Sequence, residues 1–201
     1  MSNAPREEWT TILSRLNSLY LKSEGWREAL TPESLSTRWC GLPPATEREI
    51  RSAEERLGIT LPPSYRSFLA ISNGWRPFSN FIERLLPVQE IDQFRSADPE
   101  ALTEIQANYR QDDLPELKYL DYENSEHNEA LRHRYYPDSL LIGKAWGCES
   151  DLILLNPAIV FPDGEWEAIF FGNWIPGNRR FRSFRQLVEN SVESLEKTEG
   201  F

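Results

Sequence analysis

Histidine, cysteine and catalytic glycine motifs are scarce in this 201-residue chain, and each shortage removes a class of chemistry. The two histidines, His127 and His133, lie in a polar stretch, at a spacing that does not place both on one helix face. They are expected at the surface rather than on a metal. Neither Cys40 nor Cys148 belongs to a CxxC pair, and both read as free thiols. The GxSxG elbow, the phosphate-binding loop and the dinucleotide-type glycine loop are missing, so covalent and nucleotide-dependent catalysis has no visible apparatus. No cofactor is expected. Nor is there an apolar run near the about 20 residues that span a bilayer. The N-terminal stretch lacks the basic-then-apolar order of a secretory leader, so a cytoplasmic location is expected.

What is present is a folding chain: 39% of residues are hydrophobic and 12% aromatic. A domain of this size buries roughly two thirds to three quarters of its unfolded surface without a staple or metal. The net charge of -10 is unevenly placed. Residues 83–129 hold 4 Lys and Arg against 13 Asp and Glu, whereas the flanking segments are close to balanced. Such a field repels nucleic acid and anionic membrane and steers a basic protein toward one face.

Thr46 with Glu49 forms a capping box, Ile50, Ala53 and Leu57 share a helix face, and Gly58 supplies a left-handed stop. Pro62-Pro63 opens a second helix carrying Tyr65, Phe68, Leu69 and Ser72 on one side, ended by Asn73-Gly74. The pair reads as a helical hairpin. An N-terminal helix is expected over about Arg6 to Lys22, with Trp9, Ile12, Leu13, Leu16 and Tyr20 inward. Residues 23–43 read as a connector with at most a short helix. Further elements are a strand over Phe81 to Val88, a helix over Asp98 to Tyr109, and strands over Ser139 to Trp146, Asp151 to Asn156 and Trp166 to Gly172. A last helix begins at the capping box Ser183 and Gln186, with Phe184, Leu187, Val188, Val192 and Leu195 inward. Asp112 to Pro137 reads as an ordered excursion with one exposed acidic helix. This order predicts an α+β fold in which the helical hairpin and the C-terminal helix pack on a mostly antiparallel sheet.

The string from Thr46 to Gly74, with Leu57-Gly58-Ile59, Leu61-Pro62, Tyr65-Arg66-Ser67-Phe68-Leu69 and Ser72-Asn73-Gly74, resembles the opening of the SUKH superfamily. That superfamily includes Smi/Knr-type regulators of fungal cell-wall synthesis and many bacterial immunity proteins. The resemblance continues through Leu85-Leu86-Pro87-Val88, Leu141-Ile142-Gly143, Asp151 to Leu155 and Ser183-Phe184, covering roughly residues 39–196. One departure is the turn Gly147 to Asp151, where many relatives carry a shorter Gly-Asp turn. The resemblance implies a SUKH-like domain over 39–201, with the helix and connector of 1–38 packed on it or extending it. It also implies a non-enzymatic cytoplasmic binder that neutralises a toxin by occluding its active face. Toxins countered by this family are often nucleases with basic grooves, so the expected partner is a basic toxin domain, without direct nucleic-acid or membrane binding. The alternative is a scaffold resembling the fungal regulators.

Asp112, Asp113, Glu116, Asp121, Glu123, Glu126 and Glu129 are the candidate steering acids of such a binder. Tyr119, Trp75 and Trp174 are the candidate anchors, the two tryptophans because they sit in loops, where loop anchoring is an equal expectation. A carboxylate hydrolase built from these acids, Glu149 or Asp151 would require two of them to face each other across a pocket, and acids in so acidic a chain are more often a solvated face. The basic run Arg179 to Arg185 is expected to pair with the acidic segment rather than bind phosphate.

Overall fold

The computed structural model describes residues 4–122, 127, 129–147, 151–173 and 178–199. Its helices are α1 (Ala4–Lys22), α2 (Pro32–Thr37), α3 (Glu47–Leu57), α4 (Pro63–Leu69), α5 (Phe94–Ala97), α6 (Pro99–Asn108), α7 (Glu116–Tyr119) and α8 (Phe184–Glu199). The strands are β1 (Ile82–Leu85), β2 (Asp92–Gln93), β3 (Leu140–Ala145), β4 (Leu152–Val160), β5 (Trp166–Phe171) and β6 (Asn178–Phe181). They form one antiparallel sheet in the order β1-β3-β4-β5-β6, with β2 also on the outer edge of β3. The fold is α+β.

Local chemistry sets the helix ends. The Thr46 hydroxyl accepts from the Glu49 backbone N–H while the Glu49 carboxylate accepts from the Thr46 N–H, closing the capping box. Gly58 ends α3 at φ 68°, a conformation open to glycine at little cost. Gly74 sits at φ 108°, and a Cβ there would lie 2.8 Å from the Leu85 carbonyl oxygen. Helix α4 ends at Leu69, earlier than the apolar spacing to Ser72 suggests, and Arg66 ties it to α3 through Glu47 and Glu54. At its other end the Glu165 carboxylate, from the β4–β5 turn, accepts from the Ser64 backbone N–H and hydroxyl.

Paired residues of antiparallel strands point to the same face. The register Ile153↔Phe170 and Leu155↔Ala168 therefore makes one face, and Leu154↔Ile169, Asn156↔Glu167 and Ile169↔Arg180 make the other. On the first face α8 packs against β5 and β6 and, on its far side, against α1 and α4. Phe184 packs edge-on to Tyr65 and Phe68 and tilted against Trp9 at centroid separations of 4.9–5.7 Å, an aromatic knot in the main core. The five apolar residues expected inward on α1 and the five on α8 are all buried. On the second face Tyr109 and Tyr136 cover Phe171.

Candidate functional site

The described residues of the segment from Asp112 to Tyr136 lie over the second face of the sheet, where Tyr119 and Ala130 form with Ile159 of β4 a small apolar cluster separate from the main core. A buried polar network holds it down. Glu167 accepts from Arg180 Nη1 at 2.9 Å, Tyr122 Oη at 2.8 Å, Asn156 Nδ2 at 2.7 Å and Tyr119 Oη at 3.4 Å. Arg180 Nη2 donates to the His127 carbonyl oxygen, and Asn178 joins Tyr136 to the Ala130 carbonyl. Tyr119 is clasped between two guanidinium groups, with Arg132 Cζ at 4.0 Å and Arg180 Cζ at 3.6 Å from its ring centroid. Burial, reinforced by Glu167, pushes the Tyr119 and Tyr122 hydroxyls well above the usual tyrosine range. Burial works against the charge on Arg180, yet Tyr119 and Glu167 outweigh it and raise its pKa.

On the outside of this clamp the expected steering acids take different roles. The Asp112 carboxylate accepts from the Leu131 backbone N–H at 2.8 Å and its own N–H reaches the Leu131 carbonyl, so it fastens the segment to itself. Glu116 binds Arg132 at 2.5 Å and Arg134 at 3.0 Å. The Arg132 hydrogen bond and both positive charges hold its carboxyl below the ordinary glutamate value. Asp121 Oδ2 lies 3.4 Å from His127 Nδ1. Asp113 and Glu129 are exposed. Glu123, Glu126 and Trp174 lie outside the described residues. Of the five described acids, Glu116 and Asp121 line one depression and Asp112 and Asp113 another, the latter beside Arg132 and Arg134, which weaken the local field.

Tyr119 and Trp75 are not surface anchors. Tyr119 is buried in the clamp, and Trp75 is 0% exposed, packed edge-on to Trp39 at 4.9 Å and bridged by backbone to Gly41 and Leu85. For Trp75 the loop-anchoring expectation is the one that fits. Exposed apolar groups in and near this segment are Leu117, 87% exposed on α7, Leu120, and Val160, 56% exposed at the end of β4, while Leu35, Leu42 and Phe81 reach solvent elsewhere. Leu120 and Val160 line an open depression of about 540 Å3 together with Glu116, Asp121 and Arg182. Leu117 is visible in the sequence only as one of several apolar residues in a polar stretch, and Val160 carries no local signal because β4 extends beyond Asn156.

The basic run is also reassigned. Arg180 turns inward to Glu167 of the neighbouring strand, Arg182 lies over Phe161, and Arg185 pairs with Glu8 and Glu189. The described residues hold no group of three or more His, Cys, Asp and Glu able to bind a metal. No helix among them is long and apolar enough to cross a membrane. Cys40 is a buried free thiol, pushed up to about 11 by burial, and Cys148 lies outside the described residues.

An antiparallel sheet with an aromatic helical layer on one face and an irregular clamped segment on the other makes an α+β domain, consistent with a SUKH domain. The model of the SMI1 / KNR4 family (SUKH-1) matches residues 44–195, well over half of the chain, and the chain belongs to that family. No curated protein matches it.

Proposed function

We propose that this protein is a non-enzymatic immunity protein of the SUKH type, which binds a cognate toxin and covers the toxin's active face. The observation that carries the reading is the open depression beside α7, lined by the exposed Leu120 and Val160 together with Glu116 and Asp121, with Leu117 of α7 also exposed. Its apolar side chains supply burial on docking, and its acids favour a basic counterpart, the charge found in the substrate groove of a nuclease. Membership of the family supports the same role. The short α7 rests through Tyr119 on the buried Arg180–Glu167 pair, so it presents its contacts from a fixed backbone and loses little ordering entropy on binding.

The test is affinity capture from the source organism at low salt, comparing the wild type with a variant carrying Asp113→Lys, Glu129→Lys and Leu117→Ser. These side chains are exposed and stand outside the clamp. Recovery of a basic toxin domain by the wild type and its loss from the variant is the expected result. Equal recovery by both sinks this surface, and retention of cell-wall or signalling proteins instead of a toxin sinks the immunity role in favour of a scaffold.

A further inference from the structure

A second concavity lies on the opposite face of the sheet. A cavity of about 230 Å3 opens between α8, strands β4 to β6 and the turn before β1. Ile153 and Phe170 form its floor, Leu187 and Leu195 one wall, and Phe78 and Phe81 the other. The walls are preformed. The Ser79 hydroxyl accepts from the Phe81 and Ile82 backbone N–H groups at 3.2 and 2.9 Å, and Trp146 Nε1 donates to the Ser79 carbonyl at 3.0 Å.

The cleft carries charge of one sign, and a single side chain supplies it. On α8, Ser191, Ser194 and Thr198 all donate to backbone carbonyls of their own helix at 2.8–2.9 Å, so their hydroxyl protons are engaged. Arg179, exposed on β6 opposite Phe170, is the single charged side chain among the described lining residues, and no ion pair engages it among the described residues. Its guanidinium offers a planar pair of donors matched to a carboxylate. The Asn190 amide lines the same cleft.

We propose that this cleft binds a small monocarboxylate with an apolar tail, of the size of octanoate or 3-phenylpropanoate. The tail lies between α8 and the Phe81 turn, over Ile153 and Phe170, and the carboxylate meets Arg179. Most of the binding energy comes from burial of the tail, and the guanidinium sets the orientation and the choice of headgroup. The site shares no residue with the surface assigned to toxin binding, so either assignment stands without the other.

Isothermal titration with sodium octanoate, octan-1-ol and octylammonium tests it on the full chain. Expected is saturable octanoate binding, weaker by about tenfold in Arg179→Gln, the loss of one charge-assisted contact. Arg179→Glu, at an exposed position, should abolish octanoate binding and admit octylammonium. Ser191→Trp, which fills the cleft from α8, should block every probe, and the Arg179 variants remain informative where that substitution impairs folding. Absence of saturable octanoate binding overturns the proposal. So does octan-1-ol binding as tight as octanoate, which assigns the cleft to an uncharged apolar occupant such as a partner's side chain.

Discussion

On one face of the sheet, Phe184, Leu187 and Val188 of α8 bury against strands and helices through apolar contact alone. On the other, Glu167 and Arg180, both wholly buried, hold the 112–136 segment through hydrogen bonds and stacked tyrosines. The first arrangement gains energy from every square ångström removed from water. The second has little net gain over an apolar replacement and a heavy penalty for losing one partner, because the other is left charged and dry. The protein thus keeps its rigid core on the aromatic face and places its proposed partner surface on a segment that depends on a few named bonds.

The largest effect should come from the aromatic face. Phe184→Ala removes the ring that joins Trp9, Tyr65 and Phe68 and is expected to cost about 3–5 kcal/mol, read as a shift of the whole urea transition with an unchanged slope. A loss below about 1 kcal/mol would mean the knot does not carry the core. Glu167→Leu should cost about 3 kcal/mol by stranding Arg180, and here the damage should be local. Native-state hydrogen exchange is expected to show the Leu131 and Asp112 amides losing protection while Ile153 and Leu154 retain theirs. Uniform loss across the sheet would erase the distinction between the faces. Adding Arg180→Met to that variant should restore most of the stability, since it removes the stranded charge.

Smaller effects sharpen the same contrast. Thr46→Ala opens the α3 capping box, for which about 1 kcal/mol is expected in chemical denaturation. Protection within the 112–136 segment should not change. Cys40 gives a pH signature. Its folded pKa of about 11 stands above the unfolded value, so its contribution is complete below the unfolded pKa and is lost as pH rises toward the folded one. Stability should therefore decline through the alkaline range. Alkylation mapped by mass spectrometry at pH 8 should leave Cys40 unmodified until the chain unfolds, and rapid native labelling would contradict its burial.

The aromatic face was largely legible in the sequence because it is built from local rules. Capping residues, a glycine stop and 3.6-residue spacing locate α1, α3 and α8 to within a few residues, and three strands announce themselves as apolar runs between turns. The clamped face was not, because its order is non-local. Nothing near Glu167 in the chain marks it as the partner of Tyr119, Tyr122 and Arg180, so a strand residue and an arginine run both look ordinary. The strand β6 hides for the same reason, its alternation disguised by consecutive basic residues. β2 is only two residues long and exists because it completes the edge of β3. Of the candidate site, the acidic stretch was readable, whereas the burial of Tyr119 and Trp75 and the exposure of Val160 depend on contacts made across the fold.

The neighbouring arginines of β6 carry a last consequence. A slip of one residue would still deliver an arginine to Glu167, with Arg179 replacing Arg180, so charge alone gives this edge strand two near-equivalent alignments. What separates them is Asn178, which in the native alignment meets Tyr136 and the Ala130 carbonyl, together with Phe181, which packs on the main core opposite Ala168; after a slip both would point to the other face. A neutral amide and an aromatic ring therefore act as the address of the strand, and the arginine between them as the bolt.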